Sequence, residues 1–344
     1  MSDLQDNTDR LNVCLVGDFS ENLDEGYKNT GYYLARGLED NNSVIRLNVK
    51  QAGTIESWRS LMGARPQIIH TIAQPTNQSL IFTHTLRQTW PKARTVISAL
   101  RPESYFVGGR ASQSQRWLVH LTQPNLVLVQ STEAGGLFEQ MGCPVAHLPN
   151  GVDLERFRPA SRERKRHLRM QYGLDLDQPV VLHVGHLQTA RNLMALRDLP
   201  KAGIQVVIAG SLYMGTDCRL MRRLEEAGFH VLKGYQPQIE RVYMLADCYV
   251  FPPQPGSSLA MPLSVLEAMA CNLPVVTTRF SGIEEAFKEG HGLRFIDQAD
   301  AFLPHVQEML TSSVPPATRK MVSAYSWESV VARLQGYYHE MIAS

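Results

Sequence analysis

No stretch of this 344-residue chain approaches the roughly 18 consecutive apolar residues that a membrane span requires. A dominant charge is missing too: 34 Lys and Arg face 33 Asp and Glu, a formal net charge of +1. Composition therefore gives no reason to expect a nucleic-acid partner. The five cysteines, Cys14, Cys143, Cys218, Cys248 and Cys271, lie scattered, with no C-x-x-C pair and no metal-ligand spacing. That usage suits free thiols in a reducing, cytosolic compartment. The opening residues, MSDLQDNTDR, are polar and acidic, unlike a secretory signal. No G-x-S-x-G elbow or similar nucleophile motif occurs.

What the chain does contain is a regular alternation. LNVCLVGDF (11–19), SVIRLNV, PQIIHTIA, ARTVISAL and NLVLVQS read as buried strands separated by helix-like segments. A charged stretch, ASRERKRHLRMQYGLDLDQP, then interrupts the pattern after Pro159. Strands resume with VVLHVGHL, IQVVIAGS, FHVLKGY, CYVFPP and LPVVTTR. Short Val- and Ile-rich runs between helices argue for parallel sheets built from βαβ units. Two such series with a polar break argue for an α/β protein of two Rossmann-like domains, 1–158 and 179–325, joined by a linker over 159–178. Open parallel sheets bind ligands beyond the carboxyl ends of their strands, so functional motifs should follow strands.

One motif does so. In SLAMPLSVLEAMACNLPVVTT (258–278) the single charged side chain is Glu267. Pro262 suits a first helical turn, Asn272 a left-handed C-terminal cap, and Pro274 blocks resumption, which predicts a helix over about 261–271. The first-turn amides of Met261, Leu263 and Ser264, with the helix dipole, would hold an anion such as a diphosphate. Glu267 lies one to two turns further on, sharing a face with Ser264, Ala268 and Cys271. A carboxylate there can accept two hydroxyl hydrogen bonds, as a ribose diol would offer. For an isolated helix, a solvated glutamate explains the same residue.

The surrounding segments add a resemblance. HLPNGVDLERFRP (147–159), VGHLQTARNL (184–193) and LSVLEAMACNLPVVTTRFSGIEEAFKEGHGLRF (263–295) occur in that order. Together they resemble the retaining glycosyltransferases of family 4, which have the GT-B fold. The likeness extends to YSWESVVARLQGYY, similar to the family's last helix, which implies that 326–344 crosses back onto the N-terminal domain. The fold implied is two Rossmann-like domains whose parallel sheets face an interdomain cleft.

The resemblance also implies roles. Glu267 matches the second glutamate of the family's E-x7-E motif, the one that binds the donor ribose, whereas the first falls on Leu259. The diphosphate-clamping arginine and lysine fall on His186 and Arg191. Arg191 can still serve, because a guanidinium binds phosphate oxygens well. The loop DFSENLDEGYKNTGYY (18–33) matches a glycine-containing loop at the donor phosphates, which makes Asn29, Thr30 and Gly31 candidates, with Gly31 opening the helix. His70, read as following the strand PQII, matches the first of a histidine pair whose second falls on Ile72. A further family histidine falls near Ala99 and Leu100, where Arg101 could take over a phosphate or sugar contact. KGYQP (233–237) lies at the nucleobase pocket, with Gly234 and Tyr235 as candidates and Tyr235 stacking on the base.

The implied activity is retaining transfer of a sugar from a nucleotide-sugar, UDP being the first expectation and GDP the second. Arg191, His186 and His70 are the candidate catalytic residues, and the acceptor is a hydroxyl of a carbohydrate or lipid-linked sugar. No metal or cofactor is expected: DLD (175–177), which mimics a metal-binding D-x-D, precedes a strand instead of following one. RERKRHLR (162–169) reads as the solvated face of a linker helix or as a weak contact for anionic lipid headgroups. The substitutions at Leu259, His186 and Ala99–Leu100 also fit a second reading, an inactive nucleotide-binding subunit that pairs with an active partner.

Overall fold

Runs that are apolar on both faces need helices on both sides, and here they become two parallel sheets. The computed structural model describes residues 10–20, 23, 25–49, 54–100, 105–106, 111–211, 218–254, 260–297 and 302–344. It divides into two units, Met1–Asn150 with Trp327–Ser344, and Gly151–Ser326.

The first unit runs β1 (Asn12–Gly17), α1 (Gly26–Glu39), β2 (Ser43–Asn48), α2 (Ile55–Ala64), β3 (Ile68–Ala73), α3 (Asn77–Thr89), β4 (Arg94–Ala99), α4 (Gln113–Thr122), β5 (Leu126–Val129), α5 (Thr132–Glu139) and β6 (Val145–His147). The second runs α6 (Arg162–Gln171), β7 (Val180–His186), β8 (Gln205–Ser211), α7 (Cys218–Glu226), β9 (His230–Lys233), α8 (Ile239–Leu245), β10 (Cys248–Phe251), α9 (Leu263–Ala270), β11 (Val275–Thr278), α10 (Ser281–Ala286), β12 (Leu293–Ile296), α11 (Phe302–Thr311) and α12 (Thr318–Met321). Helix α13 (Trp327–Ala343) belongs to the first unit.

Strand order is β2-β1-β3-β4-β5-β6 in one sheet and β12-β11-β10-β7-β8-β9 in the other. Each expected strand run is present. Two short edge strands, β6 and β12, join them without having stood out in the sequence. Hydroxyl side chains start several of the helices that follow strands: Thr76, Ser112 and Ser131 each accept a bond from an amide of the first turn.

In the first unit, α2 to α5 share one face of the sheet. Leu61 and Leu86 pack with Cys14, Val16 and Ile69, while Leu80, Leu118 and Phe138 pack with Ile97 and Val127. Side chains alternate along a strand, so His70 lies on the face opposite Ile69. There α1 and α13 pack together. Tyr33 stacks on Trp327 at 5.0 Å, and a Cβ on Gly37 would come within 2.7 Å of Val331, so only glycine lets these helices approach so closely.

The stretch expected as a linker is built into the second unit instead. Lys165 donates to Asp247 Oδ1 at 2.9 Å and to the Ala246 carbonyl at 2.8 Å. Arg169, 6% exposed, donates to the Leu245 carbonyl and to Asp247 Oδ2, which also accepts from the Val180 amide. A buried guanidinium requires a fixed partner, and Asp247 holds α6 in place. Part of the basic run is therefore a structural pin.

Candidate functional site

In the second sheet the chain moves outward from β7 through β8 to β9, then restarts at β10 on the other side of β7. The order reverses between β7 and β10, which is where an open parallel sheet leaves a crevice at its carboxyl end. A 3-10 turn, Thr189–Arg191, follows β7, and α9 follows β10. Two of the sequence motifs therefore flank one switch point.

Pro262 precedes α9 with φ −69° and ψ 137° and offers no side-chain cap. The Val265 and Leu266 amides turn back to its carbonyl at 3.2 and 3.4 Å. The Leu263 and Ser264 amides lie ahead of these bonds, at the positive end of the helix dipole. Met261 is 3% exposed with its side chain in the core, so it can contribute backbone only. At the other end Asn272 takes the left-handed conformation at φ 57°, as its position suggested.

Glu267 is half-buried on α9. The Tyr243 hydroxyl, on α8, donates to its Oε2 at 2.7 Å. Burial raises the Glu267 carboxyl to about 7; the Tyr243 bond and the Arg156 charge pull against that rise, and Glu240 adds to it. Tyr243 is fully buried, which holds its hydroxyl protonated and makes it a dependable donor. Arg156, from the HLPNGVDLERFRP segment, donates to Glu240 at 2.9 Å and to the Pro237 carbonyl at 3.1 Å.

Arg191 is half-buried, its guanidinium 5.7 Å from the centre of the Phe251 ring. Tyr249 links the two sides of the site. Its hydroxyl donates to the Val184 carbonyl at 3.3 Å, bonds with Ser264 and lies in the field of Arg191. His183 donates from Nδ1 to the Val250 carbonyl at 3.0 Å and stacks against Tyr249 and Phe251. Burial lowers His183 to about 4, and Arg191 pushes the same way. A neutral imidazole thus lies beside the cation. His186 ends β7, half-buried and in register with Ser211. Tyr235, 43% exposed, follows Gly234 (φ 85°) beyond β9, two strands from the switch point.

The candidates of the first unit fare differently. Asn29, Thr30 and Gly31 do not form a phosphate loop: α1 begins at Gly26, and all three lie inside it. The Asn29 amide is spent on the Glu25 carbonyl at 3.1 Å, and Thr30 bonds back to the Gly26 carbonyl at 3.0 Å. Side-chain bonds to first-turn carbonyls let these polar residues join the helix that their sequence seemed to precede. His70 does not follow β3 but lies within it, fully buried. Its Nδ1 is 2.6 Å from the Tyr338 hydroxyl and its Nε2 is 2.8 Å from Ser98 Oγ. Both nitrogens are taken, and burial lowers its pKa to about 3, so His70 is a structural pin and not a catalytic group. Ala99 and Leu100 are buried at the end of β4. Leu100 lines a small cavity with Thr30, Ser98, Gln130 and Trp327. Leu259 and Arg101 lie outside the described residues.

Sequence reasoning missed Tyr243, Tyr249 and His183. Each sits in an apolar run where it reads as core, and only the packing of α8, β7 and β10 beside α9 reveals them. Among the described residues, no three His, Cys, Asp or Glu gather to hold a metal ion, and no helix is long and apolar enough to cross a membrane.

Comparison with known proteins bears on the same region. Residues 178–312 match the family Glycosyl transferases group 1. The chain is 29% identical over 205 residues to D-inositol 3-phosphate glycosyltransferase of Mycolicibacterium smegmatis, covering 55% of this chain and 45% of that protein. It is 31% identical over 149 residues to the putative teichuronic acid biosynthesis glycosyltransferase TuaC of Bacillus subtilis, covering 41% and 34%. Over this region, in the second unit, the chain is similar to the group 1 glycosyltransferases. It spans about half the length of the curated relatives it matches. The chain has the GT-B fold. Sucrose-phosphate synthase of Thermosynechococcus elongatus superposes with a TM-score of 0.77 at 17% identity, over 96% of this chain and 99% of that one. HepE of Anabaena, solved in complex with UDP, superposes at 0.74 and 13%, over 95% and 99%.

Proposed function

We propose that the protein is a retaining, metal-independent family-4 glycosyltransferase that moves a sugar from a UDP-sugar to an acceptor hydroxyl. One observation carries the reading: Glu267 is a recessed carboxylate, held on one oxygen by Tyr243, two turns or less from the open amides of Leu263 and Ser264. That arrangement can take a ribose diol on the carboxylate and a diphosphate on the helix N-terminus.

The chemical burden is charge on the departing diphosphate. The amides at the start of α9 and the Arg191 guanidinium supply fixed positive charge where it develops, with no metal in the step. Arg191 is held for this by stacking on Phe251 and keeps a neutral His183 beside it. His186, at the end of β7, stands next to the same crevice, and Tyr235 with Gly234 would meet the base. Release of the sugar with retention lets the departing diphosphate itself accept the acceptor's proton, so no strong protein base is needed. The acceptor is a hydroxyl of a carbohydrate, lipid-linked sugar or phosphorylated polyol. The relative named for D-inositol 3-phosphate supports the last of these.

A second reading has its own support. The buried, apolar Ala99 and Leu100 stand where the family carries a histidine, which fits a nucleotide-binding subunit without transfer activity.

Thermal unfolding with UDP, GDP, ADP and their sugar conjugates tests both, on wild type and Glu267→Ala. A nucleotide at a hundred times its dissociation constant stabilises by about 2.7 kcal/mol. Stabilisation by UDP that vanishes in Glu267→Ala is the expected result, with a further gain from one UDP-sugar naming the donor. UDP binding without any gain from a sugar conjugate favours the inactive subunit. No shift with any nucleotide overturns the donor site.

A further inference from the structure

Charge is balanced over the whole chain but not along it. Between Ser57 and Thr132 there are eight Lys and Arg and one acidic residue, Glu103, so the rest of the chain is net acidic. This segment runs from α2 to the start of α5, within the first unit. Arg59, Arg65, Lys92 and Arg116 are exposed, and α3 and α4 contain no carboxylate.

The same helical layer carries large apolar side chains in solvent. Trp117 is 65% exposed, Met62 60%, Ile81 52% and Leu121 51%. Their neighbours explain the direction they point. Leu61, Leu80, Leu86, Leu118 and Val119 occupy the inward positions of α2, α3 and α4, which leaves Met62, Ile81, Trp117 and Leu121 on the outward positions. Trp117 and Leu121, four residues apart, share one face of α4, flanked by Arg116 and His120. The two helices are tied into one platform. At their starts Tyr105 joins Asn77 to Gln115, and at their ends Arg87 donates to the Gln123 carbonyl at 2.9 Å. The transfer chemistry proposed above uses none of these residues.

We infer that the outer face of α2, α3 and α4 seats the protein on an anionic lipid bilayer, with Trp117 and Leu121 entering the interfacial layer and the surrounding cations meeting lipid phosphates. An indole with its polar edge in water and its body in the headgroup region is at home there, and Arg116, the adjacent exposed residue, has a long enough stem to reach phosphate beside it. The absence of carboxylates from α3 and α4 removes the repulsion an acidic surface would otherwise meet. An acidic protein partner would use the charge, but a rigid platform bearing a projecting Trp and Leu on one helix suits a soft apolar layer better. The inference goes beyond the transfer reaction and does not depend on which donor is used.

Flotation of the full chain with vesicles tests it, using phosphatidylcholine alone and phosphatidylcholine with 30% phosphatidylglycerol. The salt is held at about 0.1 M, where screening lengths are near 10 Å. The protein is expected to float with anionic vesicles and to stay behind with neutral ones. Trp117→Ala with Leu121→Ser is expected to cut the bound fraction at least about tenfold, as loss of about 1.4 kcal/mol or more would. Both side chains are exposed, so an unchanged thermal midpoint shows that the variant is folded. Tryptophan emission of the wild type should shift to the blue on binding, and the shift should be lost in Trp117→Phe. No binding to anionic vesicles overturns the inference. So does binding that survives Trp117→Ala with Leu121→Ser but is lost in Arg164→Glu with Arg166→Glu, which would place the contact on α6.

Discussion

His70 and Tyr338, 268 positions apart in sequence, meet at 2.6 Å inside the first unit. The contact ties the C-terminal helix to β3, and with Ser98 on the other nitrogen it makes His70 a rivet between α13, β3 and β4. Tyr338→Phe is expected to cost about 1–3 kcal/mol, because it leaves a buried imidazole nitrogen without a partner. Urea unfolding measures the loss, and UDP affinity should not change. A drop in affinity larger than the stability loss explains would return His70 to the chemistry.

Acid should weaken the fold through two histidines. Burial lowers His70 to about 3 and His183 to about 4, so both stay neutral in the fold while the unfolded chain protonates near 6.5. Their stabilisation is complete above about pH 6.5 and is lost as pH falls towards 4, at up to about 1.4 kcal/mol per pH unit for each. Glu267 acts in the opposite sense. With its folded value raised to about 7, its contribution is complete below its ordinary 4.5 and is lost as pH rises through 7. Denaturation midpoints between pH 4.5 and 6.5 should therefore vary less steeply in His183→Gln and more steeply in Glu267→Gln.

Nucleotide affinity should also depend on pH through Glu267. Ribose hydroxyls donate to the ionised carboxylate, so binding is expected to strengthen as pH rises from 5.5 to 7 and to level off above about 8, at no more than about tenfold per unit. Calorimetric titration of UDP into wild type and Glu267→Gln separates this from titration of the nucleotide's own phosphate, which both proteins share. An equally steep profile in Glu267→Gln would assign the dependence to the phosphate.

Asp247 is the charge that allows Arg169 to be buried. Asp247→Asn is expected to destabilise by about 3 kcal/mol, since removing one partner of a buried pair leaves the other uncompensated. Replacing the exposed Arg166 instead should change stability by less than about 0.5 kcal/mol. Thermal unfolding of the two variants makes the comparison within a single helix.

Arg191→Ala is expected to weaken binding of UDP more than that of uridine. A guanidinium that meets the diphosphate contributes little to a nucleoside that has none. Equal losses for the two ligands would place Arg191 in structural support of Phe251 and not at the phosphates.

Several features were legible in the residues themselves. Ten strands showed as Val- and Ile-rich runs, the inner ones most plainly because a strand covered on both faces must be apolar throughout. The edge strands β6 and β12 did not, since Val145–His147 is only partly covered and each has few residues to show a pattern. The end of α9 was readable because Asn272 and Pro274 act on the backbone locally. Glu267 stood out because a single charge in an apolar stretch needs a reason. These are local or compositional properties, and a chain displays them without folding.

Contacts between distant segments were decided by the tertiary structure alone. Asn29, Thr30 and Gly31 looked like a loop until their side chains and amides bonded to the preceding turn. His70 looked like a functional histidine until Tyr338 and Ser98 closed on both its nitrogens. The charged stretch after Pro159 looked like a linker, yet Asp247 draws its Lys165 and Arg169 into the second unit. Tyr243 reads as core, and only the packing of α8 against α9 sets its hydroxyl on Glu267. The physical reason is the same in each case: a polar side chain's role depends on which partner lies within about 3 Å, and sequence order does not specify that distance.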